Sequence, residues 1–183
     1  VMGLFQTVWH DDGESLFEAT WYPIVYAAAS AWEQDSIEPA RFQADFPSAF
    51  FGSDDAAYGR DIAALADIQT RMADAYDFSS NYLMWVDPYD PLASAHMQKV
   101  DLRAVRLDAE TVEQHLLQNT PPLHANAARV MFLAARKYDF IGRRFQAAQE
   151  IRDYYGPNYR GLYWSKYWFW EMRDGYEEIE PLY

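Results

Sequence analysis

Hydrophobic and polar residues in this 183-residue chain recur mostly with a helical period. The clearest apolar stripe lies in the last third of the chain, where every third or fourth side chain is apolar, as one face of a long helix requires. Its members are Ala127, Met131, Ala134, Tyr138, Ile141, Phe145, Ala148, Ile151 and Tyr155. Gly142 interrupts the stripe and is expected to bend the helix or to lower its stability by up to about 1 kcal/mol. Gly156 followed by Pro157 predicts a strong stop.

Further helices are predicted upstream of this stripe. A helix over residues 16–32 is expected to start late or to kink at Pro23, because proline lacks the backbone N–H that a helix interior needs. Residues 37–53 carry prolines and a glycine and are expected to form short helices and loops. Three more helices are predicted, over residues 56–78, 92–105 and 109–118. Asp54 or Asp55 is expected to cap the first of these and Asp108 the third.

The two ends of the chain have a different character. Residues 4–9 form a short continuous apolar run, which is typical of a strand buried on both faces of a parallel sheet. A single strand leaves its backbone groups without partners, so we expect this chain to be a piece of a larger protein; an irregular N-terminal arm is the alternative. Residues 159–172 predict a helix that is aromatic nearly all round and therefore buried, with Tyr163, Tyr167 and Trp170 packing rather than facing a cleft.

Composition and charge exclude several classes of function. Half of the residues are hydrophobic, which is enough for a sizeable core. The absence of cysteine excludes a disulfide scaffold, a thiolate metal site and a cysteine nucleophile, and it leaves the compartment open. A net charge of -13 repels phosphate backbones, so no nucleic-acid partner is expected. No apolar run approaches the roughly 20 residues that span a bilayer, so no membrane partner is expected.

The sequence carries few recognisable catalytic or metal-binding motifs. The four histidines, at positions 10, 96, 115 and 124, stand in no H-E-x-x-H or E-x-x-H arrangement. Residue 112 is a valine, which removes a di-iron motif ending at His115. No calcium-loop spacing, G-x-S-x-G elbow or glycine-rich phosphate loop occurs, and no cofactor or metal is expected. Composition alone does not exclude a Ser-His-Asp triad. Scattered carboxylates, at Glu110, Glu113, Glu150 and Glu171, are typical of solvated helix faces.

The segment from Trp9 to Glu14 is the strongest candidate site. It lies where the predicted strand ends and a helix is about to begin, and in β/α barrels active sites form at the carboxyl ends of strands. An indole can pack on the apolar face of a pyranose while a carboxylate accepts hydroxyl hydrogen bonds. The alternative is that Trp9 is a core residue and that Asp11 and Asp12 are turn and cap residues. Spacing alone favours this second interpretation.

Residues 7–14 (TVWHDDGE) and 21–32 (WYPIVYAAASAW) resemble the last strand and last helix of family 20 glycoside hydrolase barrels. The resemblance is to the bacterial β-N-acetylhexosaminidases that carry a helical C-terminal domain, and the segment that starts at Tyr167 weakly resembles the end of that domain. It implies a mainly α chain: residues 1–35 would be the last strand–helix unit of a (β/α)8 barrel, and residues 36–183 a helical C-terminal domain.

The resemblance also assigns roles within residues 9–14. It implies that Trp9 lines the pocket for a terminal N-acetylhexosamine and that Asp11 binds hydroxyl groups of that sugar. Asp12 and Glu14 lie in the same loop and are weaker candidates for substrate binding. His10 departs from the small residue expected there, which indicates a loop shaped for a different sugar or linkage.

In the family the acetamido oxygen of the substrate attacks the anomeric carbon, while an Asp orients the acetamide and a neighbouring Glu is the general acid. This scheme is an exception to the usual two-carboxylate mechanism. The present chain contains no Asp-Glu dipeptide, so it is expected to hold sugar-binding residues and not the catalytic pair. Its expected partners are an N-acetylhexosamine-containing glycan and the remainder of the barrel, and a homodimer is left open. The alternative function is a non-enzymatic helical interaction or carbohydrate-binding module.

Overall fold

A computed structural model of the protein describes residues 17–33, 37–73 and 80–155. This part of the chain is mainly helical and contains no strand. Its elements are a 3₁₀ turn Phe17–Thr20, α1 Trp21–Trp32, α2 Pro39–Phe46, a π-helical turn Pro47–Phe51, α3 Ala57–Ala73, α4 Ser80–Trp85, α5 Pro91–Met97, α6 Leu102–Gln118 and α7 Ala125–Tyr155. The predicted mainly α fold is confirmed there. The predicted strand 4–9 and the aromatic helix 159–172 lie outside the described residues.

Proline and aspartate determine where several helices begin. Pro39 and Pro91 stand at the starts of α2 and α5, where the missing N–H costs little because first-turn N–H groups have no partner inside a helix. Asp90 caps α5, since its carboxylate accepts the N–H groups of Leu92 at 3.0 Å and Ala93 at 2.9 Å. Of the two alternatives predicted at Pro23, a kink or a late helix start, the structure shows the late start, because this proline lies in the first turn of α1.

The division between α5 and α6 differs from the prediction. The prediction of separate helices over residues 92–105 and 109–118 is wrong, because α6 runs without a break from Leu102 to Gln118. Asp101 supplies the cap instead, and its carboxylate accepts the N–H of Ala104 at 3.0 Å. Asp108 lies inside the helix and pairs with the guanidinium of Arg71 at 2.5 Å. An aspartate that has an ionic partner on another helix does not need to end its own helix.

The chain folds into two compact units. The first contains residues up to Leu65 together with Val112–Phe132, and the second contains Ala66–Thr111 together with the residues from 133 onward. Helices α3, α6 and α7 each contribute one part to each unit. None of the described helices is both long and apolar enough to cross a lipid bilayer. The boundary predicted at residue 35 stays a prediction.

The first unit is built around aromatic rings. Phe46, at the end of α2, is only 3% exposed and contacts four other rings at centroid distances from 4.8 to 6.0 Å. These rings belong to Tyr22, Phe42, Phe50 and Phe51. Edge-to-face and offset pairs of this kind add to the free energy that area burial alone supplies. The short helices predicted for residues 37–53 are thus held together mainly by aromatic packing.

A left-handed turn connects this aromatic core to the loop before α7. Gly52 ends the π-helical turn with φ at 64°, a conformation that glycine adopts without strain. The backbone N–H of Leu123 donates to the carbonyl of Phe51 at 3.0 Å, next to that turn. A Cβ atom on Gly52 would lie 3.1 Å from the Leu123 side chain, so glycine is required both for its backbone angle and for space.

Aliphatic and sulfur-containing side chains dominate the core of the second unit. Its fully buried members include Ile68, Met72, Leu83, Met97, Val105, Ile141 and Phe145. Arg144 is also buried, and its guanidinium donates to the carbonyl oxygens of Leu83, Met84 and Val86 at the C-terminal end of α4. These carbonyls have no partner within the helix that ends there, so Arg144 acts as a side-chain cap supplied by α7.

The long stripe on α7 is confirmed by burial. Ala127, Tyr138, Ile141, Phe145 and Ala148 are buried, and the other members whose side chains are described, namely Met131, Ala134 and Ile151, are half-buried. The helix continues to Tyr155, and the predicted stop at residues 156 and 157 lies outside the described residues. Hydrophobic periodicity therefore identifies both the existence and the inward face of this helix.

Candidate functional site

The sugar-binding residues predicted from the sequence, Trp9, Asp11, Asp12 and Glu14, all lie outside the described residues, as does His10. The described chain begins three residues after Glu14, with the 3₁₀ turn that leads into α1. Their assignment as substrate-binding residues stays a prediction. What the structure adds is a polar cluster in the first unit that the sequence did not predict.

This cluster consists of an imidazole between two carboxylates. The Nδ1 atom of His115, in the last turn of α6, lies 2.5 Å from Oδ2 of Asp61 on α3. The Nε2 atom lies 3.2 Å from Oδ2 of Asp55, just before α3 begins. The Asp61 side chain is only 7% exposed and that of His115 is 15% exposed, whereas that of Asp55 is 45% exposed. The ring therefore has one buried and one solvent-facing carboxylate partner.

Helix geometry explains why these three groups meet. Asp55 and Asp61 lie on either side of Tyr58, and this three-residue spacing places successive side chains near one another around the start of α3. His115 shares a face of α6 with the buried residues Val112 and Leu116, so its ring is directed inward.

Tyr58 and Asn119 fix the surroundings of the imidazole. The Tyr58 ring meets that of His115 at a centroid distance of 4.9 Å in an edge-on arrangement. The Tyr58 hydroxyl donates to the carbonyl of Asn119 at 3.2 Å, and the Asn119 side chain donates to the carbonyl of His115 at 2.9 Å. The C-terminal end of α6 is thus bound to the start of α3 by several polar contacts around one ring.

The electrostatics of the two carboxylates differ. Burial raises the pKa of Asp61 above its usual value, although the hydrogen bond with His115 acts in the opposite direction. The backbone N–H of Ala57, which donates to Asp55 at 2.8 Å, lowers the pKa of that carboxyl, and the bond to His115 contributes in the same direction. Burial also raises the pKa of the Tyr58 hydroxyl, and the charges of Asp55 and Asp61 reinforce this increase.

The chemistry that this arrangement allows is proton sharing. A buried carboxylate that orients an imidazole is the supporting half of a catalytic triad. Here, however, the second ring nitrogen faces Asp55 and not a hydroxyl or thiol nucleophile. Within the described residues, no group of three or more His, Asp or Glu side chains is placed to hold a metal ion. The two carboxylates bind opposite ends of the ring and do not converge on one point.

The other described histidines have separate roles. His96 is buried on α5, and its Nε2 atom lies 2.5 Å from the carbonyl oxygen of Met72. His124 is exposed with φ at 52°, and its ring stacks on Phe50 at a centroid distance of 4.3 Å.

Two of the scattered glutamates belong to an ionic network in the second unit. The Arg106 guanidinium binds Asp139 at 2.8 Å, Gln146 at 3.0 Å and Glu110 at 3.5 Å. Gln146 in turn donates to Glu150 at 2.9 Å. These contacts join α6 to α7 within that unit, which favours a structural role for both glutamates.

One signal in the sequence points to the His115 cluster. A histidine three residues after Val112 and one before Leu116 occupies a position on the apolar stripe of its helix. A buried imidazole at such a position needs polar partners. The paired aspartates at 55 and 61 stand at the predicted start of another helix. What the sequence does not reveal is which two helices meet, because that depends on the packing of the whole unit.

Comparison with known proteins assigns no relative to this chain. No family model, no curated protein and no solved structure matches it.

Proposed function

We propose that this chain forms the C-terminal part of a β-N-acetylhexosaminidase-like glycoside hydrolase. The observation that carries the proposal is the resemblance of residues 7–14 and 21–32 to the last strand and last helix of family 20 barrels. The structure is consistent with it, because α1 (Trp21–Trp32) covers the second of these segments and is followed by further helices. The finer architecture proposed is a barrel unit over residues 1–35 and a helical domain over 36–183.

In this proposal the chain supplies recognition and not the reacting groups. The indole of Trp9 packs against the apolar face of a terminal N-acetylhexosamine, and the Asp11 carboxylate accepts hydrogen bonds from its hydroxyl groups. Asp12 and Glu14 contribute further acceptors in the same loop. The Asp-Glu pair that orients the acetamide and protonates the leaving group belongs to the remainder of the barrel, since this sequence contains no such dipeptide.

Hydrolysis of a chromogenic N-acetyl-β-glucosaminide tests whether this chain supplies only sugar-binding residues while the remainder of the barrel supplies the catalytic pair. The purified 183-residue chain is expected to give no turnover. In the longer protein that includes the barrel, Trp9→Ala and Asp11→Asn are expected to lower kcat/KM by about 10- to 100-fold each, in keeping with the loss of a stacking contact or of a hydrogen bond to a charged group. Trp85→Ala and Asp54→Asn are the matched controls, because Trp85 is 56% exposed, Asp54 is exposed, and both lie outside the segments that carry the resemblance.

Two results would contradict the proposal. Turnover by the 183-residue chain alone would show that the catalytic groups lie within it. Unchanged kinetics in both Trp9→Ala and Asp11→Asn would show that this loop does not bind the sugar.

A non-enzymatic helical interaction or carbohydrate-binding module is the second candidate. It is favoured by the purely helical character of the described residues and by exposed apolar side chains such as Trp85 and Leu117. Circular dichroism combined with a size measurement on the 183-residue chain separates the two candidates. A compact helical monomer with one cooperative melting transition favours the module, whereas self-association favours a chain that lacks the rest of its barrel.

A further inference from the structure

The cluster around His115 poses a problem of proton counting. Both ring nitrogens lie within hydrogen-bond distance of a carboxylate oxygen, at 2.5 Å from Asp61 and 3.2 Å from Asp55. A neutral imidazole carries only one N–H group. With both carboxylates ionised, it would have to direct a nitrogen lone pair at one of them, which is repulsive. The observed arrangement therefore requires one more proton than a neutral ring and two carboxylates possess.

We propose that Asp55, His115 and Asp61 form a pH-operated clasp that holds the end of α6 to the start of α3. In the closed state the pair of His115 and Asp61 holds two protons, one on Nε2 and one between Nδ1 and Asp61. The Nε2–H group then donates to Asp55, and the buried hydrogen bond to Asp61 is kept.

The solvent-facing side of the clasp is where it opens. Asp61 is buried, and its hydrogen bond to Nδ1 is the shorter of the two, whereas Asp55 is 45% exposed at the longer contact. As pH rises, the Nε2 proton is transferred to solvent hydroxide, forming water. Nε2 then presents a lone pair to the negative Asp55 carboxylate, and this contact separates while the Asp61 contact remains.

Among the described residues, charged groups at the start of α3 act on the cluster. Asp55 and Asp61 each place a carboxylate oxygen against one ring nitrogen, and the positive charge of Arg60 acts to lower the pKa of both carboxyls. Tyr58 packs edge-on against the imidazole, and its hydroxyl bonds to Asn119 and not to a carboxylate. Two negative groups around one ring explain why proton loss is the event that breaks the arrangement.

The direction of the pH effect follows from these charges. The proton-dependent contact contributes to stability on the acid side and is lost as pH rises through the value at which the folded cluster releases its proton. The pKa of Asp55 is lowered, so its contribution is present above the usual aspartate range and is lost only as pH falls through that lowered pKa. The clasp is therefore closed between these limits and opens towards alkaline pH.

NMR of the intact 183-residue chain tests the proton count directly. Nitrogen shifts of the His115 ring, followed from about pH 5 to about pH 9, should show both nitrogens protonated or sharing a proton at the acid end and one bare nitrogen, Nε2, at the alkaline end. His124, which is exposed and stacks on Phe50, is the internal reference. A His115 ring that stays a neutral single tautomer over the whole range would overturn the proposal, and this readout needs no variant to fold.

Urea unfolding at several pH values tests the consequence for stability. The wild-type midpoint is expected to fall from the acid to the alkaline end of the same pH range, as the proton-dependent contact is lost. His115→Gln should remove at least about half of this fall, since glutamine does not titrate, and Asp55→Asn should do the same because no charge then faces Nε2. His124→Gln is the matched control and should retain the wild-type dependence. An unchanged dependence in both His115→Gln and Asp55→Asn would contradict the clasp.

Neither experiment involves residues 7–14 or a sugar, so the outcome is separate from that of the proposed hydrolase function.

Discussion

Gly142 on α7 lies so close to Arg106 on α6 that a Cβ atom built on the glycine would be 2.6 Å from the Arg106 Cγ. The side chain of Arg106 is held at this place by its bonds to Asp139 and Gln146. The absence of a side chain at position 142 therefore allows the two helices to approach each other. The sequence pattern treats this glycine as a weak point in the helix, whereas packing makes it a requirement.

Gly142→Ala should accordingly destabilise the protein, although alanine is the better helix former. We expect a net loss of up to about 2 kcal/mol in the free energy of unfolding, because overpacking typically costs about 1 to 3 kcal/mol and the gain in helix propensity offsets about 1 kcal/mol of it. Urea unfolding measures the effect. In an Arg106→Ala background the same substitution should be neutral or stabilising, and an equal loss in both backgrounds would show that the Arg106 contact is not the cause.

Removal of the Arg144 guanidinium should be among the most damaging single changes. Arg144→Met keeps much of the side-chain volume but leaves the carbonyls of Leu83, Met84 and Val86 without this donor. We expect a loss of about 2 to 4 kcal/mol, since a buried polar group left without a partner costs about 1 to 3 kcal/mol.

Arg143→Met is the matched control for that change. The neighbouring arginine is 50% exposed and pairs with Asp139 at 3.1 Å on its own helix. Its replacement should cost less than about 1 kcal/mol, as is usual for exposed ion pairs. Similar losses in the two variants would contradict the capping role of Arg144.

The cap on α3 should depend on pH. Asp55→Ala removes the carboxylate that accepts the Ala57 N–H at 2.8 Å and should cost about 1 kcal/mol near neutral pH. Because the pKa of Asp55 is lowered, the capping part of the difference between wild type and variant should be present above about pH 4 and shrink as pH falls below that value. Thermal unfolding between acid and neutral pH measures the difference. Asp54→Ala, at the exposed neighbouring residue, should leave the pH dependence unchanged.

The aromatic core of the first unit should be sensitive to truncation at its centre. Phe46→Ala removes a ring that is 3% exposed and contacts four other aromatic rings, and we expect a loss of about 3 to 5 kcal/mol. Trp32→Ala removes a larger ring that is 89% exposed and should change stability by no more than about 0.5 kcal/mol. Urea unfolding of both variants compares them, and a large effect at Trp32 would indicate that this ring is covered in solution.

Local patterns in the sequence predict much of this fold. The apolar stripe identifies α7 and its inward face, Pro23 marks the late start of α1, and Asp55 is found as the cap of α3 because such signals act over a few residues. The break predicted at Asp108 fails for the complementary reason. Its partner is Arg71, 37 residues away in the chain, and no local pattern reveals that an aspartate is used in a contact between helices.

The two candidate sites differ in the same way: one is identified from a local pattern, and the other depends on contacts between residues far apart in the chain. Trp9, Asp11, Asp12 and Glu14 are identified from a resemblance confined to a short segment, and they stay a prediction. The His115 cluster depends on residues that are 54 and 60 positions apart. Its members were visible separately as a histidine on an apolar stripe and as two aspartates near a helix start. Only the packing of α6 against the start of α3 brings them together.

The two compact units are interleaved along the polypeptide, since residues 66–111 separate the two parts of the first unit and residues 112–132 separate the two parts of the second. During synthesis on the ribosome, a nascent chain that has reached residue 111 holds only one part of each unit. The first unit is complete only when residue 132 has emerged, and neither unit can be excised as one continuous segment for separate expression. Premature termination anywhere before that residue would leave both cores open, with their aromatic and aliphatic side chains available to chaperones and proteases.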